Sequence, residues 1–188
     1  MNKKIKHLLQ TPSQTVGPFF GELIKFGDIK YPFGSYKLKN SYRVIVNCNI
    51  FNGKGNVIED CFLECCIKNS HGNNKYKFLN INRVKFNKRR KLYQISLILN
   101  NNISYTDVLI FGRGLLNHLN TRIYFYGNDK KTNEDAFLKK LPEQNRFNLV
   151  AKYIKTFKGI RYYNHDIYLN GKKETVFFDT KQTSSYDK

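Results

Sequence analysis

Several signatures of common protein classes are missing from this sequence. No apolar run approaches the ~18 residues of a membrane-spanning helix, and the basic start, residues 1–10, has too short an apolar stretch for a secretion signal. We therefore expect a cytoplasmic protein with no membrane partner. The sequence contains no glycine-rich phosphate loop, no G-x-S-x-G elbow and no C-x-x-C pair. The histidines never occur at the H-x-H or H-x3-H spacing of metal ligands: His7, His71, His118 and His165.

Acidic residues are scarce. The chain has 14 Asp and Glu against 33 Lys and Arg, which gives a net charge of +19. Such a charge is compatible with nucleic acid, an acidic membrane surface or an acidic protein partner. However, the basic residues are scattered, and the dense run is confined to Lys85–Lys91. We attribute much of the charge to drift towards A/T-rich codons, while a partner of opposite sign remains open.

Four cysteines occur in a chain without an export signal, so reduced thiols are expected. Cys48, Cys61 and Cys65 lie on the apolar faces of predicted strands. Small core residues are therefore a better interpretation than metal ligands.

From Tyr42 onwards, apolar residues recur at every second position, which is the period of a β-strand. Val44, Val46, Cys48 and Ile50 share one face of such a strand. At 188 residues the chain is long enough for one domain with a real core. We predict an all-β, antiparallel β-sandwich with an N-terminal extended arm and a short helical insertion. The predicted parts are the arm and loops at 1–40, the sandwich core at 41–125, the helical insertion at 126–158 and a C-terminal hairpin at 159–180.

Turn and capping signals give finer predictions. Asn52–Gly55 is predicted to join the first two strands as a hairpin, and Asn170-Gly171 to join Tyr162–Leu169 with Thr175–Phe178. Asn133 is a predicted N-cap of one helix. Pro142 is predicted to start another helix, which Gly159 ends. Its apolar residues at helical spacing are Phe147, Val150, Ala151 and Ile154.

Two segments look suited to a binding site. Arg113 lies between Gly112 and Gly114 at the end of an apolar strand, where a guanidinium can face an anionic ligand. The alternative for Arg113 is an ordinary surface or ion-paired arginine. The segment Thr11–Phe20 is held extended by its two prolines and carries apolar anchors, so it docks either on another chain or on its own domain.

Five motifs, in order, resemble one family: TPSQTVGPFF at 11–20, NGKGNVIEDCFLE at 52–64, FGRGLLNHLNTRIYF at 111–125, LPEQNRFNLVAK at 141–152 and GKKETVFFD at 171–179. They are similar to the α-type, non-iron-binding subunits of the intradiol ring-cleavage dioxygenase family, in its protocatechuate-cleaving members. That resemblance implies a β-sandwich fold. It also implies a hetero-oligomer of αβ pairs that cleaves protocatechuate with O2 to 3-carboxy-cis,cis-muconate.

In that family a β subunit holds ferric iron (Fe3+) through two tyrosines and two histidines, the latter as H-x-H. Here the corresponding positions read Tyr105-Thr106-Asp107. The resemblance therefore implies that this chain binds no iron, is inactive alone and completes the site of an iron-binding β subunit. The residues it would lend to that pocket are Thr15, Gly17, Pro18, Phe19 and Arg113.

The chain departs from the family pattern in places. Phe19 replaces a tyrosine often found there, and Cys65-Cys66-Ile67-Lys68 replaces a W-Q-A-D motif. These departures keep a catalytically inert scaffold subunit open as an alternative. A basic nucleic-acid-binding protein is a third possibility, supported by charge but by no RNP, OB-fold or helix-turn-helix signature.

Overall fold

The computed structural model describes residues 41–71, 75–101, 103–115, 117–125 and 136–178. The described strands are β1 (Ser41–Phe51), β2 (Cys61–His71), β3 (Lys75–Asn87), β4 (Leu92–Asn100), β5 (Tyr105–Gly112), β6 (Leu119–Phe125), β7 (Val150–Phe157) and β8 (Ile160–Tyr168). Two short helices, α1 (Ala136–Lys140) and α2 (Glu143–Phe147), precede β7. Within these ranges, no helix is long and apolar enough to cross a membrane.

The strands form two layers that close on each other. The order is β1-β4-β3-β2-β5-β6-β7-β8, with β8 pairing back onto β1. Most neighbours are antiparallel, while β1–β8 and β6–β7 are parallel. Strands β3 and β7 each pair with one layer near one end and with the other layer near the other end. The predicted β-sandwich is therefore confirmed, with two strands serving as its corners.

The core follows from the alternation along the strands. Every second residue of β1, from Val44 to Ile50, is buried, and so is every second residue of β4, from Tyr93 to Leu99. Tyr93 is fully buried, yet its hydroxyl donates a hydrogen bond to the Ile58 carbonyl at 2.7 Å. The same hydroxyl accepts one from the Cys61 amide at 3.2 Å. The polar tip of this side chain is thereby satisfied inside the core.

The cysteines are free and buried, as predicted. Cys48, Cys61 and Cys65 pack in the main core. Burial raises the pKa of the Cys61 thiol to about 11, with the Asp60 carboxylate adding to the shift. At neutral pH this side chain is therefore a neutral thiol that fills space.

The predicted helix beginning at Pro142 is wrong beyond Phe147. Residues Val150–Phe157 form β7, which pairs with β6 and then with β8. Val150, Ala151 and Ile154 fit a helical spacing, but the free edges of β6 and β8 offer backbone hydrogen bonds to this segment. Tertiary pairing therefore overrides the local pattern.

Two predicted hairpins form only next to their turns, through the Phe51–Val57 bridge and the Thr175–Tyr168 hydrogen bond, and their strands pair elsewhere. The turn at Asn52–Gly55 exists, with the Gly55 amide donating to the Asn52 carbonyl, but β1 and β2 lie in different layers. Strand β8 pairs with β7 through the turn at Lys158-Gly159, whose φ angles of 48° and 76° suit a tight hairpin. The turn at Asn170-Gly171 brings Thr175 back to the end of β8, where its amide donates to the Tyr168 carbonyl at 2.9 Å. The chain then runs beside β6, where the Phe178 amide donates to the Asn120 carbonyl.

Candidate functional site

The first candidate region is the turn at Gly112–Leu115, here called the Arg113 loop. Strand β5 ends at Gly112, and the Leu115 amide donates back to the Gly112 carbonyl at 3.2 Å. Gly114 has a φ of 85°, a left-handed conformation that favours glycine. A Cβ at Gly112 would lie 2.9 Å from the Cys61 sulfur, so the absence of a side chain lets the loop lie against β2.

The Arg113 side chain is 90% exposed at the tip of this loop. Its Nε lies 3.9 Å from an Asp60 carboxylate oxygen, which is itself 57% exposed. An ion pair of this length between solvated groups holds neither side chain firmly. The guanidinium is consequently available to an anion presented from outside the described residues.

Aromatic packing supports the base of the loop. The Phe111 ring contacts Phe62 with centroids 5.3 Å apart and His118 with centroids 5.4 Å apart. These contacts come from β2, β5 and the segment leading into β6. The Arg113 backbone is therefore anchored while its side chain remains in solvent.

The remaining predicted pocket residues, Thr15, Gly17, Pro18 and Phe19, lie outside the described residues. Their contribution to the pocket stays a prediction. Of the predicted set, Arg113 is described, and the structure places it beside Asp60 at the exposed end of β5.

The second region is a buried group of charged and aromatic side chains, here called the Arg122 cluster. The Arg122 Nε donates to the Asp107 carboxylate at 3.0 Å, and both side chains are less than a tenth exposed. The guanidinium carbon lies 4.4 Å from the centre of the Tyr105 ring. Two further rings lie near the same group, with centres at 5.5 and 5.8 Å: Phe137 and Phe178.

The charge state of Arg122 follows from its neighbours. Burial acts to lower its pKa, but Tyr105, Asp107 and Tyr124 outweigh that effect and raise it. The guanidinium is therefore positive, and its carboxylate partner and the electron-rich ring faces compensate for lost hydration. The cluster also joins β5 and β6 to α1 and to the segment at 175–178.

The Arg122 cluster occupies the positions where the resemblance would require an iron-binding H-x-H pair. Tyr105 and Asp107 stand there, but the Asp107 carboxylate already accepts from Arg122 and the Tyr105 ring faces the guanidinium. A fixed positive charge at this point opposes a metal cation. Across the part of the chain that the structure describes, no group of three or more His, Cys, Asp or Glu side chains could hold a metal ion. The residues present therefore do not fit ferric iron.

Sequence reasoning missed the Arg122 cluster. A signal for it existed, because Asp107 and Arg122 are charged residues inside otherwise apolar or β-branched strands. The pair is recognisable only when the strands are aligned, since the β5–β6 register sets Asp107 directly opposite Arg122. Cross-strand neighbours of opposite charge stabilise such a register.

His165 is a further buried titratable group, on β8. Burial lowers its pKa to about 4, and a hydrogen bond with the backbone of Val150 offsets part of that shift. Its Nε2 has no hydrogen-bond partner among the described residues. The imidazole is neutral at physiological pH and fills core space.

Comparison with known proteins shows which sequences this chain resembles. No protein-family model matches the sequence. The chain is 29% identical to a protocatechuate 3,4-dioxygenase alpha chain of Burkholderia cepacia, over 92% of this chain and 98% of that one. It is 26% identical to the alpha chain of that name from Pseudomonas putida, over 93% of this chain and 98% of that one.

Solved structures agree on the fold. The dioxygenase domain of a dioxygenase carbohydrate-binding protein fusion from Streptomyces sp. SirexAA-E matches with a TM-score of 0.53 and 15% identity, covering 73% of this chain and 84% of that one. Catechol 1,2-dioxygenase from Acinetobacter sp. ADP1 matches with a TM-score of 0.50 and 16% identity, covering 72% of this chain and 54% of that one.

The fold is thus the β-sandwich of the intradiol dioxygenases. Within that class, the similarity in sequence is to the alpha chains of protocatechuate 3,4-dioxygenase, and it extends over nearly the whole chain. The resemblance inferred from the motifs is confirmed.

Proposed function

We propose that this chain is the α subunit of a protocatechuate 3,4-dioxygenase and completes the active site of an iron-binding β subunit. The observation that carries the proposal is the near full-length similarity to two alpha chains of that enzyme. The buried Asp107–Arg122 pair agrees with a subunit that has no use for iron of its own. Ferric iron is held by the partner, and the substrates are protocatechuate and O2.

Arg113 is the residue through which this chain acts on the substrate. Protocatechuate carries a carboxylate, and its diol becomes negative on ionisation, so a planar guanidinium with several donors suits either group. Arg113 has the required exposure and only a long ion pair to release. Its anchored backbone limits the region that the guanidinium can reach to the exposed end of β5. Contact with the anion in the αβ pocket would then hold the side chain in place.

The N-terminal arm supplies the other part of the pocket. Gly17 and Pro18 would form a wall without bulk, with Thr15 and Phe19 beside them. Because Phe19 has no hydroxyl, its contact with substrate would be apolar. The arm acts on the partner, so the pocket exists in the αβ pair and in higher oligomers of it, in the cytoplasm.

The proposal is tested by searching the adjacent reading frames for a chain with a Tyr/Tyr/His/His iron set and producing this chain with and without it. The αβ preparation is expected to bind iron and to consume oxygen with protocatechuate. The isolated chain is expected to contain no stoichiometric iron and to lack a tyrosinate-to-iron absorption band.

Two results would contradict the proposal. Iron and the absorption band in the isolated chain would show a metal site of its own. A stable, iron-loaded αβ complex that consumes no oxygen with protocatechuate would favour the inert scaffold subunit.

A further inference from the structure

The turn between β3 and β4 carries four consecutive basic side chains, Lys88–Lys91, here called the basic tip. All four residues are exposed. The turn is held by Asn87, whose side-chain oxygen accepts hydrogen bonds from the Arg89 and Arg90 amides at 3.0 Å each. The Lys91 amide donates to the Asn87 carbonyl at 2.7 Å. The backbone of the turn is therefore ordered, and it presents the four charges from a defined position.

The basic tip has few carboxylates near it in the chain. Residues 65–106, which contain β3, β4 and the turn between them, include no Asp or Glu. The Glu64 carboxylate of β2 is bonded to Arg83 at 2.7 Å. Glu59 and Asp60 precede β2, but within the described ranges no ion pair joins either of them to the tip. The tip therefore keeps its positive charge in solvent.

Strand register places the basic tip at the same end of the sandwich as the Arg113 loop. Phe62 of β2 lies opposite Lys85 of β3 on one side and opposite Phe111 of β5 on the other. Arg113 follows Phe111 by two residues, and the tip begins three residues after Lys85. Because neighbouring strands lie about 4.8 Å apart, β3 and β5 run roughly 10 Å from each other at this end. That separation is close to the Debye length at physiological salt, so the tip contributes to the potential around Arg113.

We propose that the basic tip is an electrostatic guide that concentrates the anionic substrate at the Arg113 loop. This inference rests on the proposed function, in which the substrate carries a carboxylate and Arg113 contacts it. A group of like charges beside a site raises the local concentration of ions of opposite sign and the rate of their capture. The tip acts before contact, at a distance, whereas Arg113 holds the anion once it has arrived.

A small aromatic anion suits the tip better than nucleic acid does. Proteins that bind single strands combine basic side chains with aromatic rings on which the bases stack. The four residues of the tip include no aromatic ring, and the neighbouring Phe86 packs edge-on against Tyr93 with ring centroids 5.2 Å apart. The tip therefore offers charge without a stacking surface.

The test uses the αβ enzyme and compares two variants with the same change in net charge. Lys88→Glu/Arg89→Glu reverses two charges of the basic tip. The matched control, Lys155→Glu/Lys158→Glu, reverses two exposed charges at the β7–β8 hairpin. That hairpin lies beside the start of β1, whereas β4 leaves the tip beside the far part of β1, so the control is at the other end of the sandwich. Circular dichroism and size-exclusion chromatography establish that both variants are folded and assembled.

At low ionic strength we expect the tip variant to lower kcat/KM for protocatechuate about tenfold and the control to lower it less than about twofold. Added salt should lower the wild-type kcat/KM and narrow the difference between the two variants. Uncharged catechol, measured as a substrate or as a competitive inhibitor, should not distinguish them. The milder variant Lys88→Gln/Arg89→Gln, which removes charge without reversing it, should lose about threefold with protocatechuate.

Several results would overturn the inference. Equal effects in the tip variant and its control, or none in either, would show that the position of the charges is irrelevant. A loss with catechol as large as that with protocatechuate would rule out an effect of substrate charge. Loss of αβ assembly in both tip variants would make the tip a subunit contact instead. An unchanged kcat/KM together with lost binding of DNA would make nucleic acid the ligand of the tip.

Failure of this inference is distinguishable from failure of the proposed function. An αβ enzyme that consumes oxygen with protocatechuate equally well whatever the charge of the tip would refute the guide and leave the function standing. An iron-loaded wild-type complex that consumes no oxygen with protocatechuate would refute the function itself, before any variant is compared.

Discussion

Two arginines near β5 and β6 show how burial assigns a charged side chain its role. Arg122 is 6% exposed, bonded at 3.0 Å to a carboxylate and surrounded by aromatic rings. Arg113 is 90% exposed and 3.9 Å from its nearest carboxylate. The first guanidinium has its interactions inside the molecule, and the second is free to meet a ligand.

The difference shows that a position with a metal-binding role in one protein can have a purely structural role in another. The Arg122 cluster lies where the motif resemblance implies iron ligands, yet here it joins β5 and β6 to α1 and to the segment at 175–178. The Arg113 loop uses its glycines and a short turn to hold a charge in solvent. Stability should therefore depend on Arg122, and activity on Arg113.

The largest expected effect follows from removing the buried cation. Arg122→Met leaves the Asp107 carboxylate buried without its positive partner, which should cost about 3–5 kcal/mol of unfolding free energy. Chemical denaturation followed by circular dichroism measures this value. The matched control, Arg113→Met, changes a solvated side chain and should stay within about 0.5 kcal/mol.

A second variant tests whether charge is the cause. Asp107→Leu/Arg122→Met removes both charges together and should be more stable than Arg122→Met alone. Equal losses in the single and double variants would mean that packing of the arginine stem, rather than the unpaired carboxylate, dominates.

A further loss of stability should appear when pH is lowered, because His165 is buried as a neutral imidazole. The pKa of His165 falls to about 4 in the folded chain, against an ordinary 6.5. Between these values the unfolded chain binds a proton that the folded chain does not, so stability is lost as pH falls from about 6.5 to 4. The loss should total about 3 kcal/mol.

Denaturation at a series of pH values measures this slope. His165→Gln should flatten it, because the substitution removes the buried imidazole. An unchanged slope in His165→Gln would place the acid sensitivity elsewhere, for example in carboxylates.

The parts of the fold that were predictable are those governed by local pattern. Alternation in β1 and β4 identified the buried faces, and Asn52–Gly55 identified a turn. Strand partners were not predictable in the same way. The β7 segment has apolar residues at helical spacing, yet it pairs as a strand with the open edges of β6 and β8. The Asp107–Arg122 pair depends on a register between two strands, which no single segment contains. Arg113 was predicted as a site residue from its glycine neighbours, and that role stays a prediction, whereas its exposure is seen in the structure.

The next effect concerns activity. In the αβ enzyme Arg113→Met should lose about tenfold or more in kcat/KM relative to Arg113→Lys, since one charge-assisted contact is worth about 1.5–3 kcal/mol. Both variants should assemble, because neither removes core volume. Steady-state oxygen consumption with protocatechuate measures the ratio.

The substrate can identify the group that Arg113 contacts. With uncharged catechol the difference between Met and Lys should shrink if the contact is to the carboxylate, and persist if it is to the diol. Full activity of Arg113→Met with protocatechuate would show that the arginine is an ordinary surface residue.

The smallest expected effect tests how the Arg113 loop is anchored. A Cβ at Gly112 would meet the Cys61 sulfur at 2.9 Å, so Gly112→Ala should cost about 1 kcal/mol through overpacking. Cys61→Ala removes that sulfur, and the double variant should therefore be more stable than the sum of the single changes predicts.

The matched control is Gly114→Ala, which should cost a similar amount because its φ of 85° is unfavourable for alanine. No atom lies within 4 Å of a Cβ at Gly114, so its cost should add to that of Cys61→Ala without coupling. Coupling at both glycines, or at neither, would mean that contact with Cys61 does not set the position of the loop.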